Sequence, residues 1–263
     1  MWVEREGVKM QRTEKTNEHS PLFLQTQREK IEHALRRIQV HHPFYYFMCA
    51  DLEMIVDERF ETMATDGISL YYNPRFVDRL KANEVEAVLL HEFMHVILLH
   101  PWLSEKAILK GYNRDIWTLA MEFVANREVR HISEQRVRAR GQRVSEVNLP
   151  GHSLGVAELL EIQKTNIQKR EIYFFDTRLD AMDIEDVYHY LRVRIVLNES
   201  EANSGEENSQ VKKAQGKVKS LDGWAVSRDR IEDLIEKHLR GKEDAARRVR
   251  EKFMLAPTIF GAE

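Results

Sequence analysis

The sequence predicts an α+β fold, mostly helical, with a small antiparallel sheet beside a buried helix. Three observations carry the prediction. Residues 83–100 form a helical stretch that is apolar on every side yet holds His91 and His95. Phe60–Thr65 and Ile68–Tyr72 are strand-like and flank Asp66-Gly67, a strong hairpin signal. Residues 115–129 repeat apolar side chains at helical spacing, which gives a second long helix to pack on the first.

Taken in order, residues 1–21 are polar and are expected to be disordered. Leu22–Val40 has helical spacing, with Ile31, Leu35 and Ile38 on one side. Phe44–Met54 is apolar and aromatic and fits a helix or a strand equally well. After the hairpin, Asn73-Pro74 ends the strand and Phe76–Leu80 reads as a short helix. Asn83 with Glu86 three residues later makes a capping box for the next helix. Pro101 is expected to stop that helix near His100. A helix apolar all round is a buried one. Arg130–Pro150 is basic and polar and reads as a loop, and 155–163 and 183–193 as helices. Residues 198–220 lack large apolar side chains and read as a flexible linker. The folded domain is therefore expected over 22–197, with 221–263 a separate charged C-terminal helical segment.

The chemistry is concentrated in His91-Glu92-Phe93-Met94-His95, an HExxH sequence. Residues four apart share a helix face, so two imidazoles can hold one metal ion. Glu92, one step round, can take a proton from a water that the metal activates. Burying these groups costs of the order of several kcal/mol unless they have partners, and a metal is such a partner.

A catalytic zinc takes three protein ligands as a rule. His100 lies nine residues past His91, about 180° round a regular helix at roughly 100° per residue. It should point away from the metal and bond free carbonyls at the helix C-terminus. On the next helix, Asp115, Thr118, Glu122 and Asn126 form one polar stripe without Lys or Arg. Such a stripe is ordinarily a solvent face. As a metal face, it makes Glu122 the third ligand on the gluzincin plan of two antiparallel helices. Asn126 is then spaced to brace a ligand histidine.

The 263 residues suffice for one substantial core. With 40 basic and 43 acidic residues the formal charge is −3, which points to neither nucleic acid nor a membrane surface. Cys49 is the only cysteine, which excludes an intrachain disulfide and a Cys-based zinc site. No transmembrane-length run and no apolar leader is visible, so a soluble cytoplasmic protein is expected.

The stretches ATDGISLYYNPRFV (64–77), HEFMHVILLH (91–100) and WTLAMEFVAN (117–126), in that order, resemble the metallopeptidase domain of von Willebrand-A-like bacterial and phage proteins. IEDVYHYL (184–191) is similar to a later helix of that family, and the resemblance spans roughly Pro43–Leu191. Glu122 stands where the family usually has Asp. The Asp-x-Ser-x-Ser site of the von Willebrand-A-like domain has no counterpart here. Larger members are often encoded beside an AAA-type ATPase, so the resemblance implies a possible partner of that kind.

These readings predict a zincin-like domain that hydrolyses peptide bonds in a peptide or protein substrate. His91, His95 and Glu122 bind Zn2+ and Glu92 is the general base. The 60–72 hairpin would pair with the substrate backbone, and Tyr71 or Tyr72 could stabilise the oxyanion. The competing expectation is a regulatory zinc protein that binds a partner without cutting, or cuts a single one.

Overall fold

The computed structural model describes residues 20–140, 149–161, 172–203 and 244–256. Helix α1 (Pro21–His41) begins where the Ser20 hydroxyl accepts from the Phe23 N–H (3.2 Å) and Pro21 sets the first helical turn. Its Ile31, Ala34 and Ile38 are buried. The ambiguous 44–54 stretch resolves into both forms, helix α2 (Pro43–Cys49) followed by strand β1 (Glu53–Val56).

Strands β2 (Met63–Thr65) and β3 (Ser69–Tyr72) form the expected antiparallel hairpin. Its turn is built locally. The Asp66 carboxylate accepts from the N–H groups of Ile68 (2.9 Å) and Ser69 (2.8 Å), and Gly67 takes φ +88°. The sheet differs from expectation in one respect. β1 pairs with β3 in parallel, in the order β1-β3-β2, so the three-stranded sheet is mixed rather than antiparallel. A pairing across that sequence distance leaves no turn signal to read.

Asn73 caps α3 (Pro74–Arg79) by accepting from the Arg75 N–H (2.9 Å). Helix α4 (Ala82–Ile97) starts earlier than Asn83–Glu86 predicts: the Lys81 N–H donates to the Glu84 carboxylate (2.7 Å). Glu86 is fully buried instead and pairs with Arg37 (2.7 Å). The expectation of a buried helix holds, because nearly every residue from Val85 to Val96 is buried.

α4 ends at Ile97, Leu99 adopts a left-handed φ of 59°, and α5 (His100–Leu109) starts with Pro101 in its first turn. Helix α6 (Arg114–Arg140) runs well past Val129, so 130–140 is helical where a loop is expected. A pair of three-residue parallel strands, β4 (His152–Leu154) and β5 (Ile172–Phe174), has no precedent in the sequence reading. Helix α7 (Val156–Glu161) lies near the expected position. Helix α8 (Ile184–Asn203) continues six residues into the stretch expected to be a linker. The remainder of that stretch, and residues 1–19, lie outside the described residues. Residues 244–256 form a last helix, α9.

Among the described residues two large apolar clusters form, beside a small one of Phe60, Ala64 and Tyr71. One joins α1, α2, the sheet, α3 and α4. The other joins α5, α7, β5 and α8 around the first half of α6. α6 belongs to both, with Phe123 and Val124 in the second cluster and Ala125, Val129 and Ile132 in the first. α4 and α6 therefore meet at the seam. Among the described residues no single helix is long and apolar enough to cross a membrane; the bent pair α4–α5 reaches that length only together, and α4 is core.

Candidate metal centre

The seam is polar where an apolar one would be ordinary. His91, Glu92, Glu122 and Asn126 are all buried there, between 3 and 8 % exposed. His91 and His95 stand one helical turn apart on α4. Glu122 comes from the stripe on α6, so this stripe is an interior face and not a solvent one.

The His91 and His95 Nε2 atoms are 3.0 Å apart. Glu122 spans both, with Oε2 at 3.3 Å from His91 Nε2 and Oε1 at 3.5 Å from His95 Nε2. A tetrahedral zinc with bonds of roughly 2.0–2.1 Å sets its ligand atoms about 3.3–3.4 Å apart. The triangle already has that size, and the donor set of two imidazoles and a carboxylate suits such an ion. The residues present therefore fit a metal. The sequence-predicted donors His91, His95 and Glu122 come together, with Glu92 adjacent to His91.

The protonation pattern follows from burial and charge. Burial disfavours the charged His91 ring, but the facing carboxylates of Glu122 and then Glu92 outweigh it, and its pKa is raised. Asn126 is close enough to add to that upward pull, and its amide N–H donates to the Phe174 carbonyl (2.9 Å). His91 Nδ1 is nevertheless buried without a hydrogen bond of good geometry. Burial first, then repulsion by His91 and His100, holds His95 well below the usual range. Burial pushes Glu92 up to about 7, against the pull of His91 and with the repulsion of Glu122.

The structure corrects the position of His100. The left-handed Leu99 breaks the helix, and the first residue of α5 turns back toward the site. His100 Nδ1 lies 2.9 Å from His95 Nδ1, and the residue is 2 % exposed. A regular helix would turn His100 away, and leucine gives no sequence signal for the left-handed break that turns it back. The tyrosines face elsewhere. The Tyr71 hydroxyl donates to Asp66 (3.2 Å) and the ring packs on Phe60, while Tyr72 packs in the first apolar cluster.

Two helical imidazoles closed by a carboxylate from a neighbouring helix are a donor set that catalytic metal sites use. The chain belongs to the family described as "Putative metallopeptidase domain", whose profile matches residues 26–256. It is also similar to an uncharacterized protein of Thermotoga maritima, 28% identical over 106 residues. That match covers 38% of this chain and 26% of the relative, so the chain spans about a quarter of the protein it matches. No solved structure matches.

Proposed function

We propose that this chain is a zinc-dependent peptidase of zincin-like, gluzincin plan, with His91, His95 and Glu122 holding the metal and Glu92 acting as general base. The observation that carries the reading is the donor triangle of 3.0, 3.3 and 3.5 Å. Zinc held there would supply Lewis-acid polarisation of a water and of the scissile carbonyl. The chain's own groups do the rest. Glu92 accepts the proton of the attacking water and returns it to the departing amine. Burial raises the Glu92 pKa, and a dication at the centre would draw it back down and favour the carboxylate that accepts the proton. Burial keeps bulk water from competing. β2 is an outer strand of the sheet among the described residues and packs against α4, which makes its edge the candidate for pairing with an extended substrate backbone.

The near-complete burial of Glu92 favours a second reading within the same chemistry, a peptidase restricted to a single partner. Metal analysis of the full chain, paired with proteome-wide cleavage by wild type and Glu92→Gln, tests both. About one zinc per chain is expected in each protein, with hydrolysis in wild type alone. Metal content near zero after zinc-supplemented refolding would sink the metalloprotein reading. Loss of zinc in Glu92→Gln would move Glu92 into the ligand set. A zinc-loaded wild type that cleaves one protein supports the restricted reading, and one that cleaves none leaves only a regulatory role.

A further inference from the structure

Ligand histidines have two nitrogens, and the one that does not bind metal matters. An imidazole ligating through Nε2 carries its proton on Nδ1, and that N–H needs an acceptor to fix tautomer and ring orientation. The His95 ring lies between two others. Its Nε2 faces His91 Nε2 at 3.0 Å and its Nδ1 faces His100 Nδ1 at 2.9 Å. The His95 and His100 rings meet nearly edge to face, with centroids 4.9 Å apart and planes at 72°. His100 is held in place independently of the metal site. Leu99 sets the left-handed break, Pro101 fixes the following turn, and the His100 carbonyl accepts from the Ser104 hydroxyl (2.9 Å). The backbone thus spends an unfavourable left-handed leucine to aim this side chain back along α4.

We propose that His100 is a positioning residue: its unprotonated Nδ1 accepts the His95 Nδ1–H, which fixes His95 as an Nε2 ligand of the centre. The proposal rests on the metal reading above.

The obvious alternative is that His100 merely fills space between α4 and α5. The choice of replacement separates the two. Asparagine places its amide oxygen close to where His100 Nδ1 stands and can accept the same bond. Leucine fills similar space and cannot. Zinc affinity of the full chain is measured by competition with a chromophoric chelator, and the Co2+ absorption spectrum reports ligand geometry. His100→Leu should weaken zinc by about 10- to 100-fold, the scale of losing an outer hydrogen-bond partner, and should alter the Co2+ bands. His100→Asn should recover most of the affinity and the wild-type bands. Equal affinity in wild type and His100→Leu overturns the proposal, and so does a folded His100→Asn as weak as His100→Leu. If His100→Leu does not fold, the decision passes to histidine-selective 15N spectra of the metal-free wild type. A proton on His95 Nδ1 is expected there, and a proton on Nε2 alone overturns it. A wild type that takes up no zinc would instead defeat the metal reading itself, a result these variants do not mimic.

Discussion

Glu122 ties the two helices through one carboxylate, with one oxygen on each imidazole. Removing it takes away a ligand and leaves two buried imidazoles facing one another. Glu122→Ala should therefore lower zinc affinity by more than the roughly 10- to 100-fold expected of an outer partner, measured by the same chelator competition. Glu122→Asp keeps the charge but withdraws it by one methylene, so its affinity should fall between wild type and Ala. Unchanged affinity in the alanine variant would remove Glu122 from the centre. At this scale much was legible. Four-residue spacing placed His91 and His95, and the missing Lys and Arg marked the Glu122 stripe as something other than a solvent face. His100 was illegible because a rotation of 100° per residue presumes an unbroken helix, and Leu99 is no sequence signal for a break.

Between elements, the tightest restraint lies at the hairpin turn. A Cβ placed on Gly67 would overlap the Trp102 ring of α5, and the φ of +88° disfavours any L side chain. The turn is thereby pressed onto the helix that aims His100. Gly67→Ala should cost about 1–3 kcal/mol of stability from overpacking plus the left-handed backbone, read by denaturant unfolding. In a Trp102→Ala background the overlap is gone and only the backbone part remains. Gly67→Ala should therefore cost less there than alone. Equal costs in both backgrounds would mean that the turn and α5 are not mechanically coupled. The hairpin itself was readable from Asp66-Gly67, because its chemistry is local. The parallel β1–β3 pairing and the three-residue strands β4 and β5 were not. Parallel partners are chosen by burial across long stretches of chain, and such short strands carry too few residues to show a period.

Over the whole molecule, α9 changes what counts as the folded unit. The sequence reading ends the domain at residue 197, since the residues beyond it looked too polar to join a core. Yet Ala245, Ala246 and Val249 of α9 lie in the first apolar cluster. Lys252 donates to the Phe47 carbonyl (3.2 Å) and pairs with Asp51 (2.7 Å), near the C-terminal end of α2. Small residues on an otherwise charged helix hide such a face from hydropathy, because alanine contributes little apolar weight while allowing close approach. A chain ending at Asn203 should therefore be less stable than the full chain. Burying one valine is worth about 1.5–3 kcal/mol, and each alanine methyl adds about 0.8 kcal/mol. The Asp51 carboxylate is 70% exposed, so its pair with Lys252 adds little. The contact is incomplete, because a solvent-accessible pocket of about 260 Å³ lies between Val96, Gly67, Ile68 and the inner side of α9. The net loss should be roughly 2–4 kcal/mol, seen as a lower urea midpoint. Because the metal donors sit on α4 and α6 and α9 supplies none of them, the shortened chain should still bind zinc when folded. An unchanged midpoint would return the boundary to residue 197. Loss of zinc from a shortened chain that remains folded would mean that packing on α2 and the sheet is transmitted through α4 to the centre.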